Sequence, residues 1–307
     1  MIYTITLNPS LDYVVNLPSP AVGGVNRPER EAIYPGGKGI NVSVILTRLG
    51  QPTVALGVTA GFTGEQITRL LGIYGCPHDM ITAINGFSRL SVKVLSDTET
   101  EINGQGPVIM QEELNAILLR LKRAGERDVV VLSGSMPQAA PADAYEQILS
   151  YCAARKIPTV VDTTGDRLLR ALDYRPFFIK PNINELSDLF GCDISGDEQI
   201  VSYARQLQQK GARQVLVSMG GDGAILAAED GKVYKAAPPT GKVQCTVGAG
   251  DSMVAGFLAG LAHNSSIRDA FALAVAAGTA TAYSPWLAER QTVLGLVDKV
   301  IIEELSI

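Results

Sequence analysis

Residues 246–251 have the sequence TVGAGD and lead directly into an apolar segment at residues 252–261. The apolar pattern predicts a helix, and the small residues before it leave the backbone amides free to face a ligand. Because a helix N-terminus carries partial positive charge, this stretch predicts a site for an anion. Asp251 adds a carboxylate there, which suits phosphoryl transfer if it takes a proton from the acceptor. The alternative is that Asp251 only caps its helix.

The composition is typical of a globular protein. The chain has 307 residues, 46% hydrophobic and 19% charged, and this length accommodates one large α/β domain or two smaller ones. A formal net charge of −5 argues against a nucleic-acid-binding protein, because such proteins present a basic face. An anionic ligand would therefore need cations gathered locally.

Four scattered cysteines and two isolated histidines argue against several kinds of site. Cys76, Cys152, Cys192 and Cys245 lack metal-ligand spacing and are typical of buried free thiols in a reducing compartment. No histidine lies in a glycine-rich turn, which argues against a zinc enzyme or a histidine-based triad. The N-terminus resembles no signal peptide, and the longest weakly polar run is too short to cross a bilayer. We therefore expect a cytoplasmic protein without membrane contact.

Strand-like and helix-like runs alternate along most of the chain. Predicted strands lie at residues 1–7, 54–58, 128–133, 159–162, 177–179 and 215–218, and a hairpin covers residues 223–237. Predicted helices lie at residues 40–49, 64–71, 112–122, 142–154, 168–172, 185–190, 200–210, 250–263 and 267–283. This alternation predicts a mostly parallel sheet with helices on both faces.

Two segments interrupt the alternation with short strands and no crossover helix. They cover residues of about 12–34 and about 88–104, and residues 90–95 and 100–103 are predicted to pair as a hairpin. Together they predict a small β lid over the carboxyl edge of the main sheet, where parallel α/β proteins bind ligands. No linker or repeat divides the chain, so we predict a single domain, residues 1–307, that includes the lid.

A second glycine-rich helix start has the sequence PGGKG at residues 35–39. It is not a P-loop, because the G-x-x-x-x-G-K spacing is incomplete before Lys38 and no Ser or Thr follows it. It predicts a second anion site, with Asn41 one turn into the helix, or a plain helix start. Asp12, in a turn after the first strand, is either a ligand-binding carboxylate or a structural turn residue.

Other polar residues suit a phosphorylated ligand. Arg27 lies in the first lid segment and Arg89 and Lys93 lie in the second, where they either bind an anion or are solvated. The segment KPNINE at residues 180–185 follows a strand and suits a nucleotide phosphate and a largely hydrated Mg²⁺. The turn SMGGDG at residues 218–223 also follows a strand but does not complete a dinucleotide fingerprint.

Two of these stretches together resemble the paired signatures of the pfkB, or ribokinase-like, carbohydrate kinases: GGKGINV at residues 36–42 and TVGAGDS at residues 246–252. Further similar segments are TLNPSLD at residues 6–12, SGSMP at residues 133–137 and TEINGQGP at residues 100–107, the first and last of which resemble the phosphosugar branch. The resemblance extends through essentially the whole chain. It implies a ribokinase-like three-layer α/β/α fold with a small β lid.

The resemblance also implies roles for the candidate residues. Asp251 would be the catalytic base, and Gly248, Ala249 and Gly250 would form the anion hole for the transferred phosphoryl group. Residues toward the sugar or its phosphate would be Asp12, Arg27, Gly37, Lys38, Asn41, Arg89 and Ser133. Residues serving ATP and Mg²⁺ would be Lys180, Asn182, Glu185, Ser218, Gly220 and Gly223, with Glu185 reaching the metal through water.

The implied reaction is ATP-dependent phosphorylation of D-fructose 1-phosphate at its C6 hydroxyl, in a homodimer whose lids pair. Tagatose 6-phosphate and fructose 6-phosphate are alternative acceptors, and a non-catalytic sugar-phosphate-binding protein is an alternative of another class. A nicotinamide oxidoreductase is disfavoured because the dinucleotide fingerprint is absent. One departure from the family is Ser91, which stands where the lid strand usually has Asn and so removes an expected amide contact.

Overall fold

The computed structural model describes residues 1–96, 99–263 and 265–306, so Asp97 and Thr98 of the predicted lid hairpin lie outside the described residues. The strands are β1 (Ile2–Thr6), β2 (Ser10–Asn16), β3 (Arg30–Gly36), β4 (Thr53–Ala60), β5 (His78–Ala83), β6 (Arg89–Leu95), β7 (Glu99–Asn103), β8 (Val129–Ser133), β9 (Thr159–Asp162), β10 (Phe178–Ile179), β11 (Gln214–Ser218), β12 (Ala224–Ala227), β13 (Val233–Ala237) and β14 (Ile301–Glu304). The helices are α1 (Lys38–Leu49), α2 (Gly61–Ile73), α3 (Gln111–Arg120), α4 (Ala144–Ala154), α5 (Gly165–Leu172), α6 (Ile183–Phe190), α7 (Asp197–Lys210), α8 (Ala249–Ala262), α9 (Ile267–Ala282) and α10 (Arg290–Val297).

Most strands of the described chain belong to one large sheet. Its order is β14-β13-β12-β11-β10-β9-β8-β1-β4-β5. From β5 across to β11 each neighbouring pair is parallel, and β12, β13 and β14 add to the far edge in antiparallel pairs. The prediction of a mostly parallel sheet is confirmed.

Helices cover both faces of this sheet. On β8, Val130 and Leu132 point into one hydrophobic core and Val131 points into the other, because successive side chains of a strand face opposite sides. Helices α3 to α7 pack on the first core, and α1, α2 and α8 to α10 pack on the second. The three-layer α/β/α architecture is therefore confirmed.

The lid forms a separate sheet in the order β3-β2-β6-β7. Its register gives one face a row of mostly apolar residues, namely Ile33, Tyr13, Val92 and Ile102. The row beside it on the opposite face consists of Tyr34, Asp12, Ser91 and Asn103. The predicted pairing of the two lid segments is confirmed, and the alternation of side chains gives the lid an apolar and a polar face.

Helices α8 and α9 pack backbone to backbone. A Cβ added to Gly256 would lie 2.5 Å from the carbonyl oxygen of Leu273, and one added to Gly260 would lie 2.6 Å from the Cα of Ala270. Larger side chains would therefore separate the two helices. This contact fixes α8, and with it the predicted catalytic turn at its N-terminus.

Three elements were not predicted from the sequence. β5 and β14 are edge strands. Their residues (HDMITA and IIEE) are partly exposed and include charged side chains, so they do not form the regular apolar pattern that predicts a strand. Helix α10 is short and buries Val293 as its one fully buried residue within the described chain. Among the helices of the described residues, none is both long and apolar enough to cross a membrane.

Candidate active site

A cavity of about 880 Å³ lies between the lid and the carboxyl ends of the parallel strands. Thr6 at the end of β1, Ser218 at the end of β11 and Asn103 of the lid all contribute to its wall. This is where parallel α/β proteins bind ligands. The predicted site residues that line it are Asp12, Gly37, Lys38, Asn41, Arg89, Lys180, Asn182, Glu185, Ser218, Gly220, Gly223, Gly248, Ala249, Gly250 and Asp251.

Two predicted sugar-side residues do not line the cavity. Arg27 is exposed in the loop between β2 and β3. Ser133 is buried at the end of β8, where its Oγ would lie 3.2 Å from a Cβ added to Gly39. Gly39 belongs to the first turn of α1, so Ser133 packs against the second glycine-rich helix start.

The TVGAGD turn begins α8 as predicted, and its glycines are required by geometry. Gly248 is the N-cap residue with a φ of +79°, and a Cβ there would lie 2.7 Å from Cδ2 of Leu287. A Cβ on Gly250 would lie 2.9 Å from Nζ of Lys180. The amide of Ala249 donates to the carbonyl of Thr246 at 3.1 Å. A larger residue at Gly248 would strain the backbone because of its positive φ, and one at Gly250 would displace the ammonium of Lys180.

Asp251 is not the N-cap of α8 but lies in its first turn, 7% exposed. Its Oδ2 accepts a hydrogen bond of 2.7 Å from Nδ2 of Asn41. Burial, followed by the charge of Asp162, raises the pKa of Asp251 to about 6, against the opposing effects of Lys38, Asn41 and Lys180. A carboxylate with a pKa near neutrality, held by a neighbouring amide, is suited to general-base catalysis.

Asp162 is a buried carboxylate that the sequence analysis did not single out. Its Oδ1 lies 2.8 Å from Nζ of Lys38 and its Oδ2 lies 3.7 Å from Nζ of Lys180. Burial alone would raise the pKa of Asp162, but the two lysines outweigh burial and hold the pKa below its usual value. Asp162 ends a predicted strand, which is the same signal that identified Asp12. It fixes both lysines beside Asp251.

Asn182 and Glu185 form a reciprocal cap at the start of α6. Oδ1 of Asn182 accepts from the amide of Glu185 at 2.8 Å, and Oε2 of Glu185 accepts from the amide of Asn182 at 2.9 Å. The other oxygen of Glu185 lies 3.9 Å from Nζ of Lys38 and borders the cavity. Within the described ranges, no group of three or more His, Cys, Asp or Glu is arranged to hold a metal. The free oxygen of Glu185 is one hard ligand of the kind that Mg²⁺ takes together with waters and phosphate oxygens.

The lid side of the cavity carries a network of charged and polar side chains. Nζ of Lys93 lies 2.7 Å from Glu101 and 3.9 Å from Asp12. Burial is the main cause that raises the pKa of Asp12, and the charge of Lys93 opposes it. Arg89 donates to the carbonyl of Asn8 at 3.1 Å and to Oδ1 of Asn103 at 2.8 Å. This network presents donors and acceptors suited to a sugar and its phosphate.

Ser91 is bonded to an amide on the neighbouring strand. Its Oγ donates to Oδ1 of Asn103 at 2.7 Å, and Asn103 itself lines the cavity. An amide is thus present beside the position where the family's usual Asn would place one. Asn103 was not among the predicted site residues.

The side of the cavity opposite the lid is more apolar. Gly220 (φ +59°) and Gly223 (φ +91°) shape the turn after β11, and a Cβ on Gly223 would overlap the carbonyl oxygen of Ala236. The unpredicted lining residues here are Pro238, Val243, Met253, Val275, Gly278, Thr279 and Ala282. Small residues of α9 leave a flat apolar wall that can accommodate a nucleotide base. Their sequence pattern is indistinguishable from that of a packed helix.

Comparisons with known proteins agree with this geometry. The sequence pattern of the pfkB family carbohydrate kinases matches residues 5–286. The chain is 44% identical to the 1-phosphofructokinase of Bacillus subtilis (strain 168), over 99% of this chain and 100% of that protein. It is 34% identical to the D-tagatose-1-phosphate kinase of Bacillus licheniformis, over 94% and 95% of the two chains.

A solved structure is similar along its whole length. The tetrameric inhibited form of phosphofructokinase-2 from Escherichia coli superposes with a TM-score of 0.89 at 29% identity, covering 97% of this chain and 98% of that one. The family match and the relatives span nearly all of the chain. The chain therefore belongs to the pfkB family of carbohydrate kinases.

Proposed function

We propose that the protein transfers the γ-phosphoryl group of ATP to the C6 hydroxyl of fructose 1-phosphate. The observation that carries this proposal is Asp251, buried in the first turn of α8 and aligned by Asn41 at 2.7 Å. The similarity to the 1-phosphofructokinase of Bacillus subtilis supports this choice of acceptor. Enzymes of the pfkB family use ATP as the donor.

Asp251 acts on the proton of the attacking hydroxyl. With a pKa raised to about 6, its carboxylate is ionised at neutral pH and basic enough to accept that proton as the new bond forms. The hydrogen bond from Asn41 orients one carboxylate oxygen and leaves the other for the sugar. The positive end of α8 favours the ionised form.

The transferring phosphoryl group is stabilised by the N-terminal end of α8, where the amide of Ala249 is already bonded to Thr246, together with Lys38 and Lys180. Both lysines are held by Asp162, so their charges are positioned before the substrates bind. Glu185 would help to hold Mg²⁺, which would neutralise part of the charge of the ATP phosphates. Phosphoryl transfer depends mainly on such positioning and charge stabilisation.

Buried polar atoms without partners support binding of the sugar hydroxyls on this side of the cavity. Thr6 Oγ1, Asn8 Oδ1 and Asn41 Oδ1 are buried, lack a hydrogen-bond partner within the described residues, and belong to residues lining the cavity. Such atoms are uncommon in native proteins unless water or a ligand satisfies them. Asp12 and Arg89 also lie on the sugar side of the cavity. Asp12 would accept a hydrogen bond from a hydroxyl, and Arg89 would bind the existing phosphate.

The deciding experiment is a panel of ketose phosphates in a coupled ADP-release assay. Fructose 1-phosphate is expected to give the highest kcat/KM. Tagatose 1-phosphate is included because of the relative from Bacillus licheniformis, and tagatose 6-phosphate and fructose 6-phosphate test the other end of the ketose. A higher kcat/KM for any of these three would overturn the choice of acceptor. The absence of turnover with all four would favour a non-catalytic sugar-phosphate-binding protein.

We also propose that two subunits pair through the apolar faces of their lids. Ile33 and Ile102 share that face and are 48% and 63% exposed. The similarity to the tetrameric inhibited form of phosphofructokinase-2 from Escherichia coli supports an oligomer. Ile102→Asp should convert the dimer to a monomer in light scattering, whereas an unchanged mass would place the interface elsewhere.

A further inference from the structure

A short segment after α9, residues 286–289, contacts both the lid and the TVGAGD turn. Trp286 stacks on Tyr34 of lid strand β3, with ring centroids 4.5 Å apart and planes 6° from parallel. The next residue, Leu287, packs against Gly248, since a Cβ on that glycine would lie 2.7 Å from Leu287 Cδ2. Neither Trp286 nor Leu287 lines the cavity. Any effect of this segment on catalysis is therefore indirect, and Gly248 is one residue through which it can act.

A buried chain of hydrogen bonds ties the same segment to the turn. Ser252 Oγ donates to the carbonyl of Gly248 at 2.8 Å, so its oxygen accepts from Thr281 Oγ1, also at 2.8 Å. Thr281 Oγ1 in turn accepts from the amide of Ala288 at 3.2 Å. Because each hydroxyl has one proton, the direction of every bond is fixed. Ser252, Thr281 and Ala288 are fully buried, which strengthens the dependence of Gly248 on the segment.

Arg48 of α1 holds the segment from its other side. Its guanidinium donates to the carbonyls of Leu287 and Ala288 and pairs with Glu289 at 3.0 Å. It also lies over the ring of Trp286, 5.0 Å from the centroid. Arg48 therefore contacts Trp286 from α1, whereas Tyr34 contacts it from the lid.

We propose that Trp286 is a positioning residue through which the lid sets the anion-binding turn. Tyr34 is the direct cross-strand neighbour of Asp12, a residue that lines the sugar side of the cavity. A sugar phosphate bound to the lid face fixes β3, the stack on Trp286 fixes Leu287 and Ala288, and these fix Gly248. The inference rests on the proposed phosphosugar kinase activity. Its benefit is that the anion hole is aligned when the acceptor is bound, which limits transfer to water.

The chain contains a single tryptophan, so its fluorescence reports on this contact. Emission of the wild-type protein is expected to change on titration with the best ketose phosphate of the panel in the absence of ATP. Tyr34→Leu keeps Trp286 but removes the lid contact, and it should abolish this change and lower kcat about tenfold through misalignment of the turn. Tyr34→Phe preserves the stack and should restore both properties.

Tyr74→Leu is the matched control. Tyr74 lies against the same tryptophan, 4.6 Å between centroids, but comes from the end of α2 and not from the lid. It should keep the emission change and the wild-type kcat, even if both leucine variants lose equal thermal stability. A second lid contact, from Glu99 to the amide of Thr246 at 2.8 Å, remains intact in both variants.

Two results would overturn the inference. One is a Tyr34→Leu variant with wild-type kcat and an unchanged emission response, and the other is an equal loss of kcat in the Tyr74→Leu control. Failure of the proposed function is distinguished because wild-type turnover is measured first with every ketose phosphate. A different preferred sugar would change which compound produces the signal, but not whether Tyr34→Leu removes it.

Discussion

Two helix starts that each follow a glycine N-cap with positive φ lie next to each other at the cavity. Helix α1 begins after Gly37 (φ +110°) and α8 begins after Gly248 (φ +79°), and neither N-cap residue makes a side-chain cap. Their side chains differ in charge, because α1 opens with Lys38 whereas α8 carries Asp251 in its first turn. Asn41 of α1 joins the two by its hydrogen bond to Asp251.

The two helix starts differ in how well each helix end suits the charge of its own side chain. A helix N-terminus favours a carboxylate and disfavours a cation. Asp251 is therefore supported by its own helix, whereas Lys38 depends on Asp162 at 2.8 Å. In the proposed mechanism, Asp251 accepts the proton and Lys38 contributes to charge stabilisation.

The largest expected effect comes from removing the carboxylate of α8. Asp251→Asn should lower kcat by about 10²–10⁴-fold, because the attacking hydroxyl loses its general base. Binding of ATP, measured by calorimetry, should persist. Asp222→Asn is the matched control, since Asp222 follows the same kind of glycine-rich turn but does not line the cavity. Retained turnover in Asp251→Asn would show that the carboxylate is structural.

The two N-cap glycines should respond differently to alanine. Gly248→Ala forces a side chain against Leu287 and should lower kcat about 100-fold by displacing the anion hole. Gly37→Ala pushes instead on Thr6 Cγ2, 2.8 Å from the added Cβ, and should mainly raise the KM for the sugar phosphate, by about tenfold.

Gly231→Ala tests whether backbone strain alone explains the kinetic losses expected for Gly248→Ala and Gly37→Ala. Gly231 also has a positive φ, +91°, but a Cβ there meets nothing within 4 Å and the residue does not line the cavity. This variant should lose stability and keep wild-type kinetics. Equal kinetic losses in all three glycine variants would mean that strain alone, and not placement at the site, explains the effects.

The sequence was sufficient for the parts of the site that depend on local backbone geometry. The TVGAGD and PGGKG stretches require small residues and positive φ at fixed positions, and both were located from the residues alone. Asp162 and Asn103 were missed because their roles depend on partners far along the chain, such as Lys38, 124 residues away. The apolar wall of α9 was missed because ligand contact and helix packing select the same small residues.

The proton-transfer role of Asp251 in α8 can be tested by removing its hydrogen bond from Asn41 in α1. With the pKa of Asp251 raised to about 6, kcat/KM should fall on the acid side of that pH as the base becomes protonated. The hydrogen bond from Asn41 favours the ionised form, so Asn41→Ala should move this fall to higher pH. Asn115→Ala, on the surface of α3, is the control. An unshifted profile in Asn41→Ala would mean that another group sets the acid limb.

The smallest expected effect concerns stability, where Asp251 should behave opposite to an ordinary paired carboxylate. Its folded-state pKa of about 6 lies above the usual 3.8, so ionisation opposes folding, and this cost grows as the pH rises from about 4 to about 6. At pH 8 the cost is at most about 3 kcal/mol. Asp251→Asn should therefore raise the Tm at pH 8, and the gain should shrink toward pH 4.

Asp128 supplies the contrast for that measurement. Burial opposes its ionisation, but the amide of Gly125 and the N-terminal ammonium at 2.9 Å hold the pKa of Asp128 below its usual value. Its contribution to stability is present above the unfolded-state pKa and is lost as the pH falls through the folded-state pKa. Asp128→Asn should thus lower the Tm at pH 8 and have little effect in strong acid. If both variants shift the Tm in the same direction at pH 8, the carboxylate of Asp251 is not held at a cost to stability, and the raised pKa assigned to the base is wrong.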